Sequence, residues 1–255
     1  MVAEPTRSRR ERVRVGTVEE IKRTALDLMR EQQTTDIRFT DIARVMGMTA
    51  PALYRYFSDR DELLTHLITD AFAELGASIA AAREQVPDGD IGGRWVAAAS
   101  AYRDWARSRP QQFALVLGMP VPGYAAPEEG TTTRAAKQAM HELEKLFVSA
   151  AESGRLRHPF VRDVSAALAE CAETRHPHLE GIVPAESFQA MLQAWASLHG
   201  ITSLEAHGHL DWLEPAARDA LFLSHLHMIA IASGLPAPES GYSQRVQHQS
   251  DAGGA

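Results

Sequence analysis

The segment Thr40–Leu64, TDIARVMGMTAPALYRYFSDRDELL, decides the fold of this chain. It predicts two short helices separated by a turn, followed at once by the start of a third helix. In the first helix, three apolar residues at i, i+1 and i+4 share one face: Ile42, Ala43 and Met46. Gly47 follows where the chain must turn, because glycine accepts the positive φ that helix ends often need.

The segments that flank the turn carry helix-start residues. Thr40 is the expected N-cap of the first helix and Thr49 that of the second, where Pro51 falls in the first turn. Leu53 and Phe57, four residues apart, give the second helix its inward face. The residues expected to point outward are Ala50, Pro51, Tyr54 and Arg55. The Ser58–Asp61 segment has the Ser-x-x-Asp spacing of a capping box and opens the third helix.

Two short helices joined by a glycine turn, with outward polar and aromatic residues on the second, predict a helix-turn-helix. Residues Thr17–Leu64 resemble the N-terminal DNA-binding domain of the TetR family of bacterial repressors. The matching features, in chain order, are Ile42-Ala43, Gly47, Thr49, Leu53-Tyr54, Tyr56-Phe57 and Leu63-Leu64. In a helix-turn-helix, the second helix enters the DNA major groove with its N-terminal residues against the base edges.

This arrangement gives a set of candidate DNA contacts. The residues expected nearest the bases are Thr49, Ala50, Pro51 and Tyr54. Arg55 is placed against either guanine or phosphate, and the sequence does not decide between them. The phosphate candidates are Thr40, Tyr56 and Arg60. Members of the family often carry lysine where Ser58 and Arg60 stand, so the serine puts one phosphate contact in doubt.

The charge is unevenly distributed along the chain. Residues 1–58 contain 11 Lys and Arg against 8 Asp and Glu, a balance of +3, whereas the remainder contains 15 against 25, a balance of −10. Neutralisation of phosphate depends on local cations, so the whole-chain charge of −7 does not exclude DNA binding. The distribution is typical of a basic DNA-binding head on an acidic body.

Residues 1–15 are rich in arginine and lack apolar periodicity, which predicts a basic disordered arm. Two interpretations stay open: a solvated tail, or an arm that lies along phosphates or in the minor groove. The first helix is expected over Thr17–Gln32, opened by a capping box of Thr17 and Glu20. Its apolar stripe, Ile21, Ala25, Leu28 and Met29, should pack behind the helix-turn-helix.

The fold class expected is all-α, because every periodic segment has helical spacing. The domain prediction is a helix-turn-helix DNA-binding domain over 16–64, a connecting helix over 65–86, a helical ligand-binding and dimerisation domain over 87–235, and a disordered tail over 236–255. A helix is expected over Pro159–Thr174, and its apolar neighbours favour a buried thiol for Cys171, the single cysteine.

The body carries a second resemblance, to the TetR-type C-terminal domains named for Trp, His and Gly. It rests on RPQQFALVLGMPVPGY (109–124) and on Trp195 with His199-Gly200. The resemblance implies a homodimer in which the last two long helices pair with their copies, and a site for a small, largely apolar effector. The candidate interface residues are Phe188, Met191, Leu192, Trp195, His199, Leu221 and Phe222. The candidate effector-binding residues, for which core packing is the alternative, are Trp95, Tyr102, Phe113, Leu117, Met140 and Phe147.

No metal site, cofactor or enzymatic activity is expected. His176/His178, His207/His209 and His225/His227 have i, i+2 spacing, which on a helix points the side chains roughly 200° apart. The sequence also lacks the motifs of nucleophile elbows, Walker loops and dinucleotide-binding turns. No apolar run approaches a membrane span, and no secretory signal is recognisable, so a cytoplasmic protein is expected.

Together these features predict a homodimeric transcriptional regulator, most simply a repressor that a small effector releases from a palindromic operator. The alternative is a dimeric helical ligand-binding protein that has lost sequence-specific DNA recognition.

Overall fold

The computed structural model describes residues 8–126 and 129–238, and every regular element in these ranges is helical. The all-α prediction is therefore confirmed. The helices are α1 (Arg9–Gln32), α2 (Phe39–Val45), α3 (Ala50–Leu53), α4 (Arg60–Glu84), α5 (Ile91–Ser108), α6 (Pro110–Leu117), α7 (Thr131–Glu152), α8 (Ala166–Arg175), a 3-10 turn (Pro177–Leu179), α9 (Ala185–Ala206) and α10 (Pro215–Ser233). Within the described ranges, no helix is both long and apolar enough to span a membrane.

The chain divides into two compact units. The first unit comprises Met1–Ala73 with Arg109–Ala136, and the second comprises Glu74–Ser108 with Lys137–Ala255. Residues 109–136 thus group with the helix-turn-helix, although the sequence placed them with the body. The reason is visible in the packing of α6 against α1 and in a hydrogen bond of 3.0 Å between the hydroxyls of Thr65 and Tyr124.

The core of the first unit is the one that the periodicity predicts. The buried residues of α1 are the four expected, Ile21, Ala25, Leu28 and Met29. Those of α2 are Phe39, Ile42 and Ala43, and the inward side chains Leu53 and Phe57 are also buried. The part of α4 in this unit buries its apolar face as well: Leu63, Leu64, Leu67, Ile68 and Phe72. Leu75 of the same helix, which belongs to the second unit, is also buried.

Helix α1 begins at Arg9, eight residues earlier than predicted. The Ser8 hydroxyl caps it by accepting a hydrogen bond from the Glu11 N–H at 3.2 Å. Thr17 lies inside the helix, where its hydroxyl donates to the Val13 carbonyl at 3.0 Å, so the predicted capping box at Thr17 is wrong. Residues 9–15 of the predicted disordered arm are helical for this reason, and residues 1–7 lie outside the described ranges.

Two further helix starts differ by one or two residues from the prediction. The N-cap of α2 is Arg38 rather than Thr40, which lies within the first turn. At the start of α4, the Asp59 carboxylate accepts from the Glu62 N–H at 2.8 Å, and the Glu62 carboxylate accepts from the Ser58 N–H. The box therefore runs from Asp59 to Glu62 and not from Ser58 to Asp61. The Ser58 N–H also lowers the pKa of the Glu62 carboxyl.

The second unit is built around α5, α9 and α10, which contact one another pairwise. Helix α5 is buried along most of its length, and the Trp95 indole N–H donates to the Leu226 carbonyl of α10 at 3.0 Å. An ion pair links α5 to α9, with Arg103 Nε and Glu205 Oε2 separated by 2.6 Å. Both partners are buried, so this pair belongs to the core of the unit.

Helix α8 departs most from its prediction. It spans Ala166–Arg175 instead of Pro159–Thr174, and none of its residues is buried. Cys171 is accordingly exposed, and the prediction of a buried thiol is wrong. A short helix without a core-facing stripe lies on the surface, and its apolar side chains are at most half-buried where it contacts α9. Of the predicted tail, Pro236–Pro238 is described and residues 239–255 are not.

Candidate DNA-binding surface

The turn of the helix-turn-helix has the geometry that the sequence predicts. Gly47 has a φ of 64°, in the region that disfavours side chains with a Cβ. Thr49 is extended, with φ −85° and ψ 145°, and is the N-cap of α3, although its hydroxyl caps no backbone N–H. Pro51 lies in the first turn of α3, as predicted. The turn therefore sets the direction in which α3 leaves α2.

Helix α3 is only four residues long, and the chain continues beyond it as a tight turn. The Tyr56 N–H donates to the Leu53 carbonyl at 2.8 Å and the Arg55 N–H donates to the Ala52 carbonyl at 3.3 Å. Both are i to i+3 hydrogen bonds, which wind the chain more tightly than an α-helix. Tyr54 and Arg55 consequently project from the end of α3, and both are exposed.

The Tyr54 side chain is exposed over 56% of its surface, but one part of it packs on a neighbouring ring. Its ring lies 5.1 Å from the ring of Phe39, centroid to centroid, at an angle of 52°. Phe39 is buried and is the first residue of α2, so this contact orients Tyr54 from the core. Thr49 and Pro51 are exposed beside it and Ala50 is half-buried. The predicted base-contacting residues therefore occur on one short exposed stretch of the chain.

The three phosphate candidates have different surroundings. Thr40 is exposed near the start of α2, and Tyr56 is half-buried. The guanidinium carbon of Arg14 lies 5.7 Å from the centre of the Tyr56 ring, within range of a cation–π contact. This contact does not follow from the sequence pattern, because the predicted first helix begins at Thr17 and leaves Arg14 outside it. The sequence signal for the earlier helix start is Ser8 followed three residues later by Glu11, because this spacing is typical of an N-terminal capping pair.

The guanidinium of Arg60 makes hydrogen bonds to other residues of the first unit. Its Nε donates to the Ile37 carbonyl at 3.1 Å, one Nη donates to the Pro122 carbonyl at 3.3 Å, and the other binds the Asp36 carboxylate at 2.8 Å. These contacts tie the start of α4 to the segment before α2 and to the segment after α6. The guanidinium that the sequence assigned to phosphate is thus engaged with protein oxygens on each of its nitrogens.

The six candidate effector-binding residues do not lie in one unit. Phe113 and Leu117 belong to the first unit, and the other four to the second. Four of the six are buried as core side chains, namely Trp95, Tyr102, Phe113 and Phe147, whereas Leu117 and Met140 are half-buried.

A cavity of about 220 Å³ lies elsewhere in the second unit, between α8 and the start of α9, and none of the six candidate residues lines it. Its lining is mainly apolar and also contains three polar side chains, Glu173, His176 and Glu180.

The candidate dimer-interface residues fall into three groups. Phe188, Met191 and Phe222 are buried within the unit, whereas Leu192 and Leu221 are exposed. Trp195 and His199 are half-buried and stacked on each other with ring centres 5.5 Å apart. The Tyr102 hydroxyl and His199 Nδ1 are 2.8 Å apart, and burial lowers the pKa of His199. Trp195 and His199 are therefore held by contacts within their own unit.

Several histidines gather around Glu144 of α7. His141 Nδ1 and His178 Nε2 lie 2.8 Å and 2.7 Å from the same carboxylate oxygen, and His176 Nδ1 lies 3.6 Å from the other oxygen. The 200° separation that i, i+2 spacing gives on a helix does not apply to His176 and His178, because they do not lie on an α-helix. Here α8 ends at Arg175, His176 has φ −130° and ψ 51°, and His178 lies in the 3-10 turn.

Comparison with known proteins agrees with the geometry of both units. Residues 21–67 match the family of bacterial regulatory proteins named tetR, and residues 95–229 match the Tetracyclin repressor-like C-terminal domain, which covers more than half of the chain. The chain belongs to the TetR family. Its first unit contains the N-terminal helix-turn-helix domain of that family, and its C-terminal helices are those of the associated C-terminal domain.

Individual relatives of this TetR-family protein are regulators. It is 38% identical over 125 residues to the HTH-type transcriptional regulators Rv1816 of Mycobacterium tuberculosis and Mb1846 of Mycobacterium bovis. That match covers 49% of this chain and 52% of each relative, so the chain spans about half the length of these relatives. The crystal structure of SCO4313 matches over 87% of this chain and 98% of its own, with 32% identity and a TM-score of 0.67.

A more distant structure shows the same fold. PfmR, a TetR-family transcriptional regulator of Thermus thermophilus, superposes with a TM-score of 0.52 at 17% identity, over 85% of this chain and 98% of its own. The TetR-family fold is thus shared across proteins whose sequences have largely diverged.

Proposed function

We propose that this protein is a transcriptional regulator that binds an operator in duplex DNA through Thr49, Ala50, Pro51, Tyr54 and Arg55. The observation that supports it best is the fixed position of Tyr54, an exposed aromatic ring held against the buried Phe39. A residue that reads a base edge is accessible before binding, and a side chain that is already held in place loses less conformational freedom on binding. Tyr54 has both properties. Membership of the TetR family is the second observation that supports DNA binding.

The phosphate contacts are expected around this stretch. Thr40 and Tyr56 remain in the proposed set, and the described arginines of α1 add Arg9, Arg10, Arg12 and Arg14, all exposed. Because phosphate contacts come from cations and hydroxyls that solvent can reach, these residues suit the task better than Arg60. Arg60 is proposed instead as a structural residue that holds the start of α4 in place.

Selection of genomic DNA fragments by the purified protein tests the proposal. We expect recovery of a fragment with an inverted repeat, bound in the nanomolar range. Its affinity should fall by about 10³-fold or more between roughly 50 and 200 mM salt, because bound counterions are released. Deletion of residues 2–14 should reduce the steepness of that dependence. A dimer that enriches no sequence would instead support the alternative, a ligand-binding protein without DNA recognition.

A homodimer is proposed because two operator half-sites require two copies of the reading surface related by a two-fold axis. Helices α9 and α10 contact each other, and they retain exposed apolar side chains at Leu192, Leu221, Met228 and Ile231. Ile231 is 73% exposed and Met228 is 53% exposed. Apolar surface on the last two helices is what a four-helix interface between two copies would bury.

Replacing Met228 and Ile231 together with glutamate tests the interface. The wild-type protein should have twice the chain mass of 28.0 kDa in light scattering, and the double variant should have the mass of one chain. Two buried carboxylates per copy are too costly for the dimer to persist. Met119→Glu is the control, since Met119 is 85% exposed and belongs to the first unit. A double variant that remains dimeric would place the interface elsewhere.

The proposed effector is a small, largely apolar molecule, and repression that it relieves is the simplest mode of control. Binding among Trp95, Tyr102 and Phe147 would require core side chains to move, because these residues are buried. The cavity of about 220 Å³ between α8 and α9 has a mainly apolar lining, and a small molecule bound there would not require core side chains to move. It is therefore the first place to look for an effector in a liganded crystal.

A further inference from the structure

We propose that the histidines around Glu144 form a binding site for one divalent first-row transition-metal ion, for which Zn²⁺ is the probe. Three side chains, His141, Glu144 and His178, each offer a ligand atom, and the three atoms lie within 4.8 Å of one another. Imidazole nitrogen and carboxylate oxygen are common ligands of zinc, and imidazole also suits copper, nickel and iron. All three residues belong to the second unit, so the proposal is independent of the DNA-binding surface.

The distances between the ligand atoms are close to those of a tetrahedral zinc site. At Zn–N lengths of about 2.0–2.1 Å, two tetrahedral ligand atoms lie about 3.3 Å apart. His141 Nδ1 and His178 Nε2 are 2.8 Å and 2.7 Å from Glu144 Oε1. An outward shift of some tenths of an ångström therefore makes room for the ion. The exposed His141 and His178 side chains, with relative accessibilities of 46% and 52%, are free to make that shift.

Glu144 is the fixed member of the group. Its side chain is only 9% exposed, and every ion-pair partner that it has among the described residues is an imidazole. A buried carboxylate is stabilised by a paired charge or by coordination of a metal. No lysine or arginine of the described ranges pairs with Glu144, which distinguishes it from Glu205 beside Arg103 and from Glu142 beside Arg83.

His176 supplies an independent indication of a ligand. Its Nδ1 atom is buried and has no hydrogen-bond partner among the described residues, and it lies 3.6 Å from Glu144 Oε2. Buried polar atoms are normally satisfied, so a buried nitrogen that makes no hydrogen bond and lies beside a carboxylate calls for an explanation. A metal ion bound at the Glu144 carboxylate provides one. His176 is not among the three residues whose ligand atoms lie within 4.8 Å of one another, so it would become a fourth ligand only by moving closer to them.

Bound metal would link two parts of the second unit that are far apart in the sequence. His141 and Glu144 are one helical turn apart on α7, whereas His176 and His178 lie between α8 and α9. The ion would hold the α8–α9 connection against α7. Since it would bind the folded chain and not the unfolded one, it would also raise the melting temperature in proportion to the logarithm of its concentration.

The test is Zn²⁺ binding by full-length protein purified without a histidine tag, measured by calorimetry and by elemental analysis after dialysis. We expect one equivalent of zinc per chain in the wild type. His141→Ala and His178→Ala should each weaken binding by more than the roughly 10–100-fold that loss of an outer-shell partner costs. Both side chains are about half exposed, so neither variant should unfold. His209→Ala, at an exposed histidine outside the group, is the matched control and should bind zinc as the wild type does.

X-ray absorption at the zinc edge provides a second readout. A shell of nitrogen and oxygen at about 2.0–2.1 Å, with no sulfur at about 2.3 Å, supports the proposed ligands. Substoichiometric zinc in the wild type overturns the proposal. So does wild-type affinity in both His141→Ala and His178→Ala, and so does equal loss in His209→Ala. None of these outcomes affects operator binding, which is measured separately in the presence of a chelator.

Discussion

Tyr54→Ala lowers the affinity of the protein for its operator by about 100-fold or more, equivalent to about 2.7 kcal/mol of binding free energy. The substitution removes an exposed ring that is oriented before binding, and interface residues of this kind dominate recognition. It leaves the arginines of α1 and the phosphate candidates in place. Binding to non-specific duplex should therefore change little. Fluorescence anisotropy with operator and scrambled duplexes at fixed salt measures both quantities.

Two controls separate recognition from folding in this experiment. Because Tyr54 packs on Phe39, the alanine variant also loses some stability, and its circular dichroism and melting temperature must be compared with the wild type. Trp212→Ala removes an aromatic side chain that is even more exposed, in the second unit, and should leave operator affinity unchanged. If Tyr54→Ala binds the operator as tightly as the wild type, the residues assigned to base contact are wrong.

Arg103→Met destabilises the second unit by about 3–5 kcal/mol, because it leaves the buried Glu205 carboxylate without its main partner. Two nitrogens of Arg103 lie 2.6 Å from the two oxygens of Glu205, and a third lies 2.8 Å from Asp219 Oδ1. Arg107 is 3.8 Å from Glu205 and cannot replace the lost hydrogen bonds. Urea denaturation measures the loss as a lower transition midpoint.

Tryptophan fluorescence makes this measurement specific to the second unit, which contains all four tryptophans of the chain: Trp95, Trp105, Trp195 and Trp212. Arg218→Met is the matched control. It breaks an ion pair with the exposed Asp211 and should cost no more than about 1 kcal/mol. The double variant Arg103→Met with Glu205→Leu should recover most of the lost stability, since it removes both buried charges. If Arg103→Met alone is as stable as the wild type, the prediction is wrong, because the Glu205 carboxylate must then reach water once Arg103 is removed.

Periodicity alone predicted the helical core well. The buried residues of α1 and the inward pair Leu53 and Phe57 follow directly from apolar spacing, because a helix can bury only one face. Glycine at position 47 predicted a turn for a similarly local reason, since few other residues adopt its φ of 64°. The family was also recognisable, because the ordered string from Ile42 to Leu64 is long enough to be specific.

The helix starts were less predictable, because several residues compete for each cap. Ser8, Thr17, Asp59 and Ser58 all have suitable side chains, and the choice between them depends on which backbone N–H groups the fold leaves unpaired. The role of Arg60 was hidden for a different reason. Its three partners lie at positions 36, 37 and 122, and only the tertiary structure brings those oxygens together.

The histidine group illustrates the same limit. Spacing rules for metal ligands apply within one helix or one loop, whereas these ligands come from α7 and from the α8–α9 connection. Glu144 and His178 are 34 residues apart in the sequence. The exposure of Cys171 is not predictable from the sequence, because burial of its thiol depends on whether another element covers that face of α8. Neither fact is encoded in the local sequence pattern.

The exposed thiol of Cys171 gives this protein a single attachment point for a spectroscopic label. The chain has only one cysteine, so a maleimide dye or a nitroxide reacts at one place, without mutagenesis. That place is on α8, five residues before His176 and next to residues that line the cavity. A label there reports on the mobility of this helix, and the same chain can be followed as zinc or a small molecule is added.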